Sequence, residues 1–206
     1  YSICVWAVVA CGVVTIIALL LSNALFRQLS TVETPTGVLT AIVTPKPTAI
    51  PEDVATCVLL DGVQDPGNVG SILRSAAAAG IERVLLSKDS VHAWSPRVLR
   101  AGMGAHFMLH LHENTDLPEF VRGFKGRAIA TSSRAGKSVF DTDLSGKIAL
   151  AFGNEGSGVS QALLAQVHER VAISMRPKVE SLNVAAAAAV CLFERVRQLR
   201  SRSRID

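Results

Sequence analysis

Residues 61–74 read Asp61-Gly62-Val63-Gln64-Asp65-Pro66-Gly67-Asn68-Val69-Gly70-Ser71-Ile72-Leu73-Arg74. The apolar run Val54–Leu60 stands before them, and an Ala-rich stretch follows. The pattern is strand, glycine-bearing turn, helix, and α/β proteins place ligand sites beyond the carboxyl ends of such strands. Asn68 reads as the N-cap of a helix that runs to Gly80, a residue suited to the C′ stop. Gly67 and Gly70 allow a backbone or a ligand to come close. A capped turn accounts for Asn68 but not for Arg74, whose charge between Leu73 and the alanines needs a partner.

Outward from this segment the pattern repeats. Strands are expected at Arg83–Ser87, Phe107–His112, Arg127–Ser132, Lys147–Phe152 and Val171–Met175. Helices are expected at Val98–Gly102, Leu117–Phe124, Gln161–Val167 and Val184–Leu199. Strands alternating with helices predict an α/β fold, a mainly parallel sheet with helices on both faces.

Two further segments carry unusual residues. Phe152-Gly153-Asn154-Glu155-Gly156-Ser157-Gly158 also follows a strand and precedes a helix. Its glycines suggest a dinucleotide loop, but Glu155 would set a carboxylate where pyrophosphate must sit, and this is not the first strand–helix turn. A ligand without phosphates, or a plain glycine turn, fits better. The third segment runs from Ile173 through Met175, Ser181 and Leu182 to Asn183, where the last helix begins. Ser181 and Asn183 each read as caps. The alanines 185–189 make a thin helix face that permits close packing.

The chain of 206 residues is 49% hydrophobic and 18% charged, which argues for a substantial core and against disorder. Net charge is +4, permitting a polyanionic partner without demanding one. Arginines gather at 195–204, as a phosphate-binding cluster or as a solvated helix end suited to the macrodipole. Cys4, Cys11, Cys57 and Cys191 form no CxxC pair and no zinc spacing, and read as reduced core residues. Residues 1–22 are uncharged and apolar. They read as buried secondary structure of a small, truncated domain, with a membrane span as the competing reading. A short amphipathic helix is expected at 23–34 and a strand at Val38–Thr44. Pro45, Pro47 and Pro51 then mark a stiff linker, separating an N-terminal segment (1–50) from the main domain (51–206).

DPGNVGSILRSA, FGNEGSGVS and ISM…ESLNVAAAAAV, in this order and at these separations, resemble the signature motifs of the SpoU/TrmH branch of the SPOUT methyltransferases. The resemblance spans roughly residues 54–200. Residues 23–45 are similar to the segment joining that family's frequent N-terminal RNA-binding domain to the catalytic one, so 1–50 is expected to be a remnant of such a domain. The resemblance implies a C-terminal deep trefoil knot. It implies S-adenosylmethionine as cofactor, held at Gly153, Ile173 and Leu182 with Thr131, Met175 and Asn183 nearby, and no metal. It implies in-line methyl transfer to a ribose 2′-oxygen. Arg74 would activate the hydroxyl or, since guanidinium stays protonated, bind phosphate and stabilise the developing alkoxide. Asn68 would orient Arg74 or the ribose, Glu155 would anchor Asn68 or Arg74, and Ser181 and Asn183 would shape the catalytic pocket. A cytoplasmic homodimer acting on RNA, ribosomal in preference to transfer RNA, is the implied assembly, without stable membrane association. A knotted RNA-binding protein without catalysis is the rival.

Overall fold

The computed structural model describes residues 7–11, 14–18, 21–30, 37–39, 43–45, 49–176 and 179–202. The chain divides into two compact units, 1–44 and 45–206. In the first, β1 (Ala7–Cys11) and β2 (Val14–Ala18) pair antiparallel. The helix α1 (Asn23–Leu29) follows, and Ser22 caps it by accepting from the Leu25 amide. Among the described residues no helix is long and apolar enough to cross a membrane. The strand expected at 38–44 falls partly outside the described residues, and Val38, Leu39, Val43 and Thr44 carry no regular structure.

The second unit is built on β3 (Thr56–Asp61), α2 (Pro66–Ala78), β4 (Arg83–Leu86), α3 (Pro96–Gly102), β5 (His110–His112), α4 (Leu117–Gly123), β6 (Arg127–Thr131), β7 (Lys137–Ser138), β8 (Ile148–Gly153), α5 (Gln161–Leu164), β9 (Glu169–Ala172) and α6 (Val184–Arg202). Seven strands form one sheet in the order β5-β4-β3-β8-β6-β9-β7, and every pairing is parallel.

Alternation along each strand builds two cores. Val58, Leu60, Ile129, Ile148, Leu150 and Phe152 point to the face covered by α2, α3 and α6. Cys57, Leu59, Ala128, Ala130, Ala149 and Ala151 point to the face covered by α4 and α5. The strands offer bulk to the first face and mostly small side chains to the second. The short helices α4 and α5 therefore fill that second face with Leu117, Val121 and Leu163. Burial pushes the thiols of Cys57 and Cys191 up to about 12, so both are inert packing groups. Cys4 and the Cys11 side chain lie outside the described residues.

Several boundaries differ from expectation, each for a physical reason. The helix expected to start at Asn68 starts at Pro66. Proline presets the first helical φ, and Asp65 is the cap, its Oδ1 accepting from the Asn68 amide at 2.8 Å. Gly80 does stop the helix, with φ +75°. The strand expected at Val171–Met175 lies at Glu169–Ala172, where β6 and β7 supply partners. Residues 105–107 form a 3-10 turn and leave only His110–His112 in the strand expected from Phe107. The helix expected at Gln161–Val167 closes after Leu164.

Candidate active site

Parallel pairing brings the ends of four strands to one edge of the sheet. Asp61 of β3 is in register with Gly153 of β8. Ala130 of β6 is in register with Ala151, and Thr131 with Val171 of β9. The Thr131 hydroxyl donates to the Ala151 carbonyl at 3.1 Å, tying β6 to β8 where both end.

The loop after β8 is shaped by Asn154. Its Oδ1 accepts from the amides of Gly156 at 2.9 Å and Ser157 at 3.1 Å, while its Nδ2 donates to the Gly62 carbonyl at 2.8 Å. Backbone bonds between Asn154 and Gly158 close the turn, and Gly158 adopts φ +73°. The closure is tight: a Cβ on Gly153 would lie 2.1 Å from the backbone of Gly158 and Val159. Asp61 reaches across to accept from the Ser160 amide at 2.8 Å.

This loop aims Glu155 at the start of α2. Its carboxylate accepts from the amides of Gln64 at 3.3 Å and Asp65 at 3.2 Å, and from Asn68 Nδ2 at 2.9 Å. Partial burial pushes the carboxyl up, but the hydrogen bonds from Asn68 and the backbone amides outweigh it and hold the group below its ordinary range. Asn68 in turn accepts from Asn183 Nδ2 at 2.9 Å. Asn183 Oδ1 caps α6 through the amides of Ala185 at 2.9 Å and Ala186 at 3.3 Å. Glu155, Asn68 and Asn183 thus form one hydrogen-bonded chain joining three segments distant in sequence.

Other expected residues stand differently. Arg74 is exposed, and among the described residues its guanidinium has no partner, so the expectation of a buried, paired charge is corrected. It lies two turns into α2, on a side that neither core covers. Ser181 is exposed and makes no described cap; Asn183 alone takes that role. Ile173 is half-buried against the larger core, Met175 is half-buried, and Leu182 is 38% exposed. Residues 173–176 form neither strand nor helix, so their backbone groups are not committed to a ladder. At the carboxyl end of β8, the ionised Glu155 is held against the start of α2.

Asp61, Asp65 and Asn154 went unnoticed in the sequence. Asp65 before a proline is a readable N-cap, and Asn154 before Gly-Ser is a readable Asx turn. Asp61 gives no local signal, because its partner Ser160 is distant in sequence.

The model of the SpoU rRNA Methylase family matches residues 55–193. The chain is similar to an uncharacterized tRNA/rRNA methyltransferase of Synechocystis, 40% identical over 68% of this chain and 52% of that protein. It is similar to RlmP of Bacillus subtilis, a 23S rRNA (guanosine(2553)-2′-O)-methyltransferase, 33% identical over 84% of this chain and 70% of that one. Its structure is similar to that of the SpoU methyltransferase AviRb from Streptomyces viridochromogenes in complex with AdoMet, with a TM-score of 0.66, 31% identity, and coverage of 70% of this chain and 60% of that one. The chain spans about half the length of the first of these relatives.

Proposed function

Because this chain belongs to the SpoU rRNA methylase family, we propose that it transfers a methyl group from S-adenosylmethionine to a ribose 2′-hydroxyl of RNA. The observation that carries the reading is the hydrogen-bonded chain Glu155–Asn68–Asn183 beside the end of β8. It fixes the three family motifs against one another at the edge where parallel sheets hold ligands.

When bound, S-adenosylmethionine supplies an electrophilic methyl on a sulfonium. Gly153, Ile173 and Leu182 hold it, with Thr131, Met175 and Asn183 beside them. Arg74 projects to solvent, free to take the phosphate next to the target ribose and to stabilise charge that develops on the 2′-oxygen. Asn68 and Glu155 position that helix, and Ser181 and Asn183 border the pocket. The positioning of both reactants supplies much of the acceleration.

The finer assignments belong to the same reading. The substrate is ribosomal in preference to transfer RNA, supported by RlmP, which is named for 23S rRNA. The protein works in the cytoplasm as a homodimer, the Ala-rich start of α6 giving a close-packing face, and the segment from β8 to α6 threads as a trefoil knot. Residues 1–50 belong to an RNA-binding module, joined to the methyltransferase domain 51–206. Incubation of the purified chain with labelled S-adenosylmethionine and separate ribosomal and transfer RNAs tests the proposal, with label expected as 2′-O-methylribose in ribosomal RNA. Cofactor binding without transfer to either RNA would favour a knotted RNA-binding protein.

A further inference from the structure

Phe107 is 94% exposed, an unusual position for a phenylalanine, and Met103 and Met108 beside it are 68% and 63% exposed. The ring stands on a rigid elbow. The helix α3 ends at Met103 in the left-handed conformation, and a 3-10 turn from Ala105 to Phe107 follows. Beneath it His106 is buried, its Nε2 bonded to the Ala93 carbonyl at 2.8 Å and its ring tilted against Trp94.

The elbow rides on the helix that carries Arg74. Gly70 of α2 meets α3 so closely that a Cβ there would lie 2.4 Å from that of Ala101 and 2.8 Å from the Gly102 amide. Arg74 lies one turn further along that side of α2. The nearby carboxylate of Glu113 is taken up by His92 and the Ala93 amide, whereas the exposed Arg97 and Arg100 of α3 have no carboxylate partner among the described residues.

We propose that Phe107, with Arg97 and Arg100 of the preceding helix α3, is a stacking platform for an unpaired base of the RNA next to the target nucleotide; this rests on the RNA methyltransferase reading. Single-stranded RNA is recognised by splayed bases on aromatic rings, with cations on the backbone. The three apolar side chains are too few for the roughly 800 Å² per partner that a stable protein interface buries. The unpaired arginines suit phosphates, whereas a second copy of this chain would bring the same positive charge.

The test measures binding of a labelled, mixed-sequence single-stranded RNA and of its duplex, with S-adenosylmethionine affinity followed by calorimetry. Phe107→Ala should weaken single-strand binding about ten-fold. Phe107→Trp should restore it, and duplex and cofactor affinities should stay unchanged. Arg100→Gln should lower the salt dependence by about one counterion. Single-strand affinity within about two-fold of wild type for Phe107→Ala overturns the proposal. So does a variant that instead shifts self-association in sedimentation, which would assign the ring to a second copy. If the unaltered chain binds cofactor but no RNA, the parent reading falls and the platform with it.

Discussion

Asn183 donates its side-chain amide to Asn68 at 2.9 Å, although 115 residues of chain separate them. Neither amide is free to rotate. Asn68 must present its NH₂ to the ionised Glu155, which can only accept. Its oxygen is thereby turned to Asn183, whose own oxygen faces the first amides of α6. One carboxylate therefore sets the orientation of two amides and the docking of two helices.

Asn68→Asp should be worse than Asn68→Ala. The aspartate places a second carboxylate against Glu155 and cannot donate to it. Single-turnover methyl transfer is expected to fall roughly a hundredfold or more. In the double mutant of Asn68→Ala and Asn183→Ala, effects on stability should fall short of additivity by about 0.5–1 kcal/mol. Additive effects would show that the two amides work independently.

Arg74→Ala should leave the unfolding midpoint unchanged, because its exposed guanidinium has no partner among the described residues. Methyl transfer should drop by at least about a hundredfold, and Arg74→Lys should not recover it. A loss of stability alongside the loss of rate would mean that Arg74 is a structural group.

Gly70→Ala should destabilise the domain by about 1–3 kcal/mol, because the new methyl overlaps α3. Adding Ala101→Gly should rescue only part of this. The Val98 carbonyl and Gly102 amide, at 2.7 and 2.8 Å from the Cβ position, are backbone and remain. Chemical denaturation of the single and double variants reads both effects.

Glu155 should make the fold sensitive to acid. Its carboxyl lies below its ordinary value of 4.5, since hydrogen bonds from Asn68 and the backbone outweigh the effect of burial. The unfolded chain therefore binds the proton more tightly. The contribution is fully present above about pH 4.5 and is lost as pH falls through the folded value. Glu155→Gln should flatten the acid limb of a stability–pH profile. The limb should not vanish, because Lys137 holds Glu169 down in the same way. An unchanged limb would count against an ionised Glu155 in this network.

Much of this architecture was legible as alternation. Val58 and Leu60 against Cys57 and Leu59 announce a strand buried on both faces, and the glycine at 80 announces where α2 stops. The three motifs marked Asn68, Glu155 and Asn183, but not which would touch, because contacts across 87 and 115 residues leave no local trace. Asp65 rather than Asn68 is the cap because the fixed φ of Pro66 starts the helix two residues earlier. The exposure of Arg74 was hidden because neighbouring apolar residues on a helix face different ways. Leu73 is fully buried, and the next residue is turned about 100° from it.

The position of β3 between β4 and β8 has a consequence for the chain as it is made. During synthesis β4 follows β3 closely and can pair with it early. The other edge of β3 waits for β8, which begins at Ile148, so most of the domain must be translated first. At ordinary elongation rates that delay is on the order of ten seconds. Throughout it, an unpaired strand edge flanked by Val58, Leu59 and Leu60 stays open to other nascent chains. Aggregation during expression should therefore be governed by how soon β8 arrives, and slowing translation between β4 and β8 should lower the soluble yield.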